Sequence, residues 1–241
     1  MPRESKAKRR ERACEVCRRM EERYPGVGAA LSFRSPFELL IAVLLSAQTT
    51  DANVNACTPE LFRRWPGPAE LAAAPQPEVE GVIHSCGFFH TKAAHAIACA
   101  QMIMSDYAGE VPRTMEELCR LPGVGRKTAN IVLNEGFGIV DGIAVDTHVY
   151  RLATRLGLTR AKTPADAEAD LLDILPRELW KPVNSQWIRF GREVCTARAP
   201  KCEGCMLADI CPSVGKDTNP TSKATRATKA KRQASKRPAK G

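Results

Sequence analysis

Lys127 and Asp146 are the side chains whose surroundings point to covalent chemistry. Lys127 lies in Leu121-Pro122-Gly123-Val124-Gly125-Arg126-Lys127-Thr128-Ala129. Glycines on both sides of one apolar residue permit a tight turn with positive φ. The amides of Gly123 and Gly125 can then face outward where the next helix begins, and such an end seats a phosphate oxygen. A plain turn between helices needs only the two glycines; the whole nonapeptide is far more restrictive. Lys127 falls in the first turn of that helix, where the dipole disfavours a cation. On an open surface it is a solvated charge. Partly desolvated, it has a lowered pKa, and a neutral amine is what nucleophilic attack on carbon requires.

Asp146 stands in Ile143-Ala144-Val145-Asp146-Thr147-His148. Its simplest role is to cap the helix starting at Thr147. Helix amides also keep a carboxylate ionised, so the same group can handle protons and stabilise a developing positive charge. The two roles are compatible.

A third group is Cys195-x6-Cys202-x2-Cys205-x5-Cys211. Four thiolates this close in a helical chain form a metal site, and either zinc or an iron–sulfur cubane accepts them. Arg198 and Lys201 lie between the first two cysteines, so a metal-pinned loop would offer two cations to a polyanion. The other cysteines read differently. Cys57, Cys86, Cys99 and Cys119 are scattered singly and are expected to be small buried hydrophobes. Cys14 and Cys17 lack the preceding strand of a redox motif.

The elements that position these residues are helices. Ser35-Pro36-Phe37-Glu38 is a capping box with proline at the first helical position, and apolar residues follow at 37, 40, 41, 44 and 45. A second helix begins at Asp51 and a third runs over about 90–107. Thr114 to Glu117 is another capping box, and further helices are expected near 124–135, 147–156, 164–175 and 185–193. Only 138–145 has strand character, and it is too short to seed a sheet. The fold class is all-α.

The chain has 241 residues and a formal net charge of +9. Residues 215–241 hold nine Lys/Arg against one acid and residues 1–12 six against two, so the body between them is slightly acidic. The tail has no apolar stripe and reads as disordered, serving either solubility or a sequence-blind tether to a polyanion. The longest apolar run, Leu39 to Leu45, is far short of the roughly 18 residues a membrane span needs. No export signal is visible, and free cysteines suit a reducing compartment.

The nonapeptide resembles the helix-hairpin-helix motif of DNA repair glycosylases. Together with the Val145-Asp146-Thr147-His148 segment and the cysteine loop, in this order, residues from about Met20 to Pro212 resemble the endonuclease III family. That resemblance implies a helix-hairpin-helix DNA glycosylase with two helical domains flanking a DNA cleft and a [4Fe–4S] cluster on the four cysteines. It implies removal of oxidised or damaged pyrimidines from double-stranded DNA and cleavage at abasic sites by β-elimination. Lys127 is then the nucleophile and Asp146 its partner. Ser46 to Asp51 matches the segment whose glutamine fills the gap left by a flipped nucleotide, so Gln48 is the candidate plug. Gly87-Phe88-Phe89-His90 matches the second inserting loop, which makes Phe88 a candidate wedge or else a buried loop aromatic. The stretch from Lys127 to Asp146 is slightly longer than the family pattern.

The implied domains are a flexible basic N-terminus (1–12), a helix packing with the cluster domain (13–28), a six-helix barrel (29–140), the cluster domain (141–214) and the basic tail (215–241). A monomer in the cytoplasm, associated with the nucleoid, is the matching expectation; in a eukaryotic source the basic ends would be nuclear addresses, and a mitochondrial site stays open. Two rivals are a monofunctional adenine glycosylase, which lacks a lysine at this position, and a non-catalytic hairpin module with a metal staple.

Overall fold

The computed structural model describes residues 4–216, and all regular structure among them is helical. The helices are α1 (Lys6–Arg23), α2 (Pro36–Leu45), α3 (Asp51–Arg64), α4 (Pro68–Ala72), α5 (Gln76–Val82), α6 (Phe89–Asp106), α7 (Met115–Arg120), α8 (Arg126–Ile131), α9 (Thr147–Arg155), α10 (Pro164–Ile174) and α11 (Trp180–Glu193). A π-helical turn, Val132–Gly136, prolongs α8, and a 3-10 turn, Arg177–Leu179, leads into α11. Among the described residues no helix is long and apolar enough to cross a membrane.

The apolar residues form two cores. The first gathers Phe37, Leu40, Ile41 and Leu45 of α2 with Val54 and Leu61 of α3, Ala96 and Ile103 of α6, Leu118 and Leu121, and Val132 and Leu133 beyond α8. Every residue of α2 after Pro36 is buried, as its seven-residue apolar run demands. The second core joins Ala13, Val16 and Met20 of α1 to Val149 and Leu152 of α9, Leu171 of α10, and Trp187 and Phe190 of α11. Burying one such Leu or Phe contributes about 1.5–3 kcal/mol, so each lobe holds itself together. The chain crosses between lobes twice, over residues 24–35 and again over 137–146. Both crossings border the site described below.

Several local expectations change. Residues 1–12 were expected to be flexible, yet α1 starts at Lys6, capped by the Ser5 hydroxyl, which accepts from the Lys8 amide at 3.3 Å. Lys6 pairs with Asp173 at 2.6 Å, and Arg12 donates to the Leu156 carbonyl at 2.9 Å while pairing with Glu4. The charges of this segment are thus spent partly on α9 and α10. Cys57, Cys86 and Cys99 are buried, but Cys119 is exposed, on the outer side of the short α7. Helix α11 begins five residues before the expected start because Pro182 lies in its first turn, where a missing N–H breaks no helical bond. Residues 138–145 form no strand; their backbone is held by side chains instead, with Arg177 donating to Val140 O and Asn184 to Ala144 O at 2.7 Å. The tail beyond 216 lies outside the described residues.

Candidate active site and cluster loop

Lys127 and Asp146 line one cleft of about 790 Å³ between the lobes. The first crossing contributes Gly28 and Leu31, α2 and α3 contribute Ser46 and Asp51, and α11 contributes Asn184 and Arg192. Lys127 is the second residue of α8, and its side chain is exposed. Of the two alternatives for this lysine, the free protein shows the solvated one. Asp146 caps α9: its Oδ1 accepts from the amides of both His148 and Val149 at 2.8 Å. Both bonds end on the same oxygen, which leaves Oδ2 for the cleft.

The hairpin before Lys127 uses its two glycines differently. Gly123 has φ +78°, and a Cβ there would also stand 2.9 Å from the His95 ring. Gly125 is extended and serves as N-cap of α8, with open space around it and no side chain on the first amides of the helix. The positive φ that the turn needs thus falls on Gly123 alone of the two. The donors at the start of α8 remain free for an anion.

Gln48 and Phe88 share an unusual backbone state. Among the described residues the non-glycine positions with positive φ are Gln48 (+54°), Phe88 (+59°) and Ala108. Gln48 is exposed on the turn before α3, whose capping residue is Thr50. Phe88 is 68% exposed at the start of α6, so it is not a buried loop aromatic. Its neighbour Phe89, the first residue of α6, is half-buried against the first core, with its ring tilted 46° to that of His84 at a centroid distance of 4.6 Å.

Behind Gln48, Lys92 is buried and donates from Nζ to Thr49 Oγ1 at 2.6 Å. Burial pushes its pKa down, opposed by the thiols of Cys86 and Cys57. Three further groups escaped the sequence reading. Arg192 bridges the lobes by donating to Asp51 at 2.9 Å. His148 accepts at Nδ1 from Arg151 at 2.9 Å, so its remaining proton is assigned to Nε2, and burial lowers its pKa. Glu168 is a buried carboxylate taken up below. An acid in phase with Ala167, Leu171 and Ile174 on α10 was the one signal that could have found it.

Cys195, Cys202, Cys205 and Cys211 line one small cavity, together with Arg155, Leu156, Phe190 and Leu207. Among the described residues no three His, Cys, Asp or Glu side chains converge as a single ion requires. Four thiols arranged around one cavity fit a thiolate-held metal group. Sulfur-directed donors are already present: Arg155 Nη1 lies 3.3 Å from Cys195 Sγ, and the Leu207 amide donates to Cys205 Sγ at 3.4 Å. Arg155 also braces the loop between the first two cysteines, donating to Thr196 O at 2.7 Å and Ala197 O at 2.9 Å. Arg198 and Lys201 are both exposed on that loop.

Residues 41–177 match the HhH-GPD superfamily base excision DNA repair protein model, and residues 195–211 match the iron–sulfur binding domain of endonuclease III. Endonuclease III of Synechocystis sp. is 46% identical over 207 residues, spanning 86% of this chain and 94% of that protein. The chain belongs to the endonuclease III family. Endonuclease III of Escherichia coli is 40% identical, with 86% of this chain and 96% of the relative covered. A solved structure of a trapped endonuclease III–DNA covalent intermediate superposes with a TM-score of 0.80 at 42% identity, over 84% of this chain and 95% of that one. A thermostable thymine-DNA glycosylase, at 23% identity and a TM-score of 0.75, shares the fold over 87% of this chain and 98% of its own. The matched endonuclease III iron–sulfur segment starts at Cys195 and ends at Cys211, and the cofactor of this family domain is a [4Fe–4S] cluster.

Proposed function

We propose that Lys127 and Asp146 are the nucleophile and its partner in the DNA glycosylase and abasic-site lyase activity that family membership gives this chain. The observation that carries the assignment is their meeting in one interlobe cleft beside a glycine hairpin with free helix amides. A damaged pyrimidine nucleotide flips out of the duplex into this cleft. Neutral Lys127 Nζ attacks C1′, the bond from C1′ to the base breaks, and the base leaves with a proton. Asp146 Oδ2 stabilises the positive charge developing on the sugar and handles protons. Ring opening gives a Schiff base between Lys127 and C1′. Loss of a C2′ proton then expels the 3′ phosphate and cuts the strand.

Gln48 and Phe88 are the proposed inserting residues. Exposed side chains on strained left-handed backbone, at turns entering α3 and α6, suit groups held out from the surface. Cys195, Cys202, Cys205 and Cys211 would hold the cluster, whose chemistry here is to tie the loop of Arg198 and Lys201 in place for phosphate contact. The two cores support the reading of a six-helix barrel domain over 29–140 and a cluster domain over 141–214 against which α1 packs. One chain carries the whole pair, so a monomer suffices. Cytoplasmic work at the nucleoid accords with the bacterial relatives.

Borohydride reduction during turnover on an abasic-site or thymine-glycol duplex is expected to leave a covalent protein–DNA adduct, and Lys127→Ala none. An adduct of undiminished yield with Lys127→Ala would overturn the assignment. A monofunctional adenine glycosylase or a passive hairpin module predicts no adduct at all.

A further inference from the structure

Glu168 is a buried carboxylate that the chemistry above does not use. It projects from α10 in the second lobe, yet its partners belong to α8 in the first. Its Oε1 accepts from Asn130 Nδ2 at 2.8 Å, and Arg126 donates to both oxygens, at 3.3 and 3.4 Å. Arg126 and Asn130 are one turn apart on α8, and Lys127 lies between them in sequence.

The third neighbour is Gly142, on the crossing that runs from α8 to Asp146. A Cβ at Gly142 would stand 2.5 Å from Glu168 Oε1 and 2.6 Å from Asn130 Oδ1. Gly142 is buried and does not have a positive φ, so space rather than backbone conformation requires the glycine. The crossing therefore lies directly against the carboxylate and the amide.

Helix α8 cannot orient itself. It has six residues, carries no side-chain cap and continues into a π-helical turn. A helix this short is held by tertiary contacts rather than by its own propensity. Asn130 is buried as well, so neither it nor Glu168 can turn to water for a replacement partner.

We propose that Glu168 is a positioning residue for the catalytic pair. It fixes the rotation of α8, and so the direction of Lys127, while seating the crossing that delivers Asp146. The nucleophile and its partner thereby share one reference point in the opposite lobe. This rests on the assignment of Lys127 and Asp146 made above.

The test compares single-turnover borohydride trapping on an abasic-site duplex with the dissociation constant for a duplex carrying a reduced abasic site. Glu168→Gln keeps the shape and an acceptor for Asn130 but removes the charge that holds Arg126. Gly142→Ala leaves every side chain of the node intact and wedges the crossing away from it. Each is expected to lower the trapping rate at saturating enzyme roughly 10- to 100-fold, the scale of an ångström-sized misplacement. Dissociation constant and iron content should stay close to wild type, while the wedge or the lost buried charge lowers the melting temperature without unfolding the protein at the assay temperature. Wild-type trapping rates in Gly142→Ala would overturn the proposal, whether or not Glu168→Gln folds. So would losses of rate and DNA affinity in equal measure, the mark of a merely structural role. Absence of an adduct from the wild-type protein itself would instead overturn Lys127, and with it the basis for a positioning role.

Discussion

Both amide bonds to Asp146 end on Oδ1, so substitution can separate capping from chemistry. Asparagine is as good an N-cap as aspartate, whereas alanine at such a site costs about 1 kcal/mol. Asp146→Asn should therefore melt close to wild type while its single-turnover excision collapses. Asp146→Ala should lose both, and equal melting of the two variants would contradict the cap. Gln48 allows a similar separation. Its left-handed backbone costs roughly 1–2 kcal/mol for a residue with a Cβ. Gln48→Gly removes that strain together with the side chain, so stability should hold or rise while affinity for a lesion duplex falls, measured by thermal melting and titration. A fall in stability with intact affinity would speak against the inserting role. At this scale the sequence was most informative where chemistry restricts the residue type. The four cysteines stood out by their spacing alone, whereas Lys127 and Asp146 took their proposed roles from the family resemblance. Glu168, Asn130 and Gly142 did not stand out, because their meaning depends on neighbours that only the fold supplies.

The helices that matter for function are short or externally braced, and this governs how well they could be read. Helix α2 was legible from its apolar run and its cap, though the structure shifts one bond: Glu38 accepts from the Arg34 amide at 2.8 Å rather than from Ser35. Helices α4 and α5 were missed, since five and seven residues carry too little periodicity to notice. Cys119 misled for a related reason: a cysteine beside leucines on a one-turn helix can still face outward.

The turn carrying Gln48 rests on Lys92, whose pKa burial holds below the ordinary 10.5. Above that lowered value the folded protein has shed the proton while the unfolded chain keeps it, so stability rises with pH up to about 10.5. The wild type should accordingly gain on Lys92→Met as pH is raised through this window, read as the difference in urea midpoints. A pH-independent difference would place Lys92 in a solvated setting. In the cluster loop, Cys202→Ser should lose iron and weaken DNA binding through Arg198 and Lys201, measured by iron analysis and titration. Full affinity without iron would show that Arg155 braces the loop unaided.

For the molecule as a whole, the net charge of +9 is a poor guide to where DNA is gripped. The body is slightly acidic, part of the N-terminal charge is engaged with α9 and α10, and the remaining excess sits in the tail beyond the described residues. We propose that binding by the body rests on hairpin amides and a few cations, with the tail adding sequence-blind affinity. Each phosphate contact contributes about 0.9 to the slope of log affinity against log salt. Removing residues 215–241 should flatten that slope while single-turnover chemistry stays nearly intact. A matching loss of chemistry would make the tail part of the site. The all-helical class was legible in advance from the helix signals, while the two-lobed plan was legible only through the family resemblance. The contacts that join the lobes, Arg192 to Asp51 and Glu168 to Arg126 and Asn130, were not, since they pair residues far apart in the chain.

Peptide mapping of the borohydride-reduced adduct tests the central assignment most directly. After nuclease and protease digestion, mass spectrometry should find the deoxyribose remnant on the peptide containing Lys127, bonded to that side chain. A remnant on Lys92, Lys201 or any other amine would contradict the account.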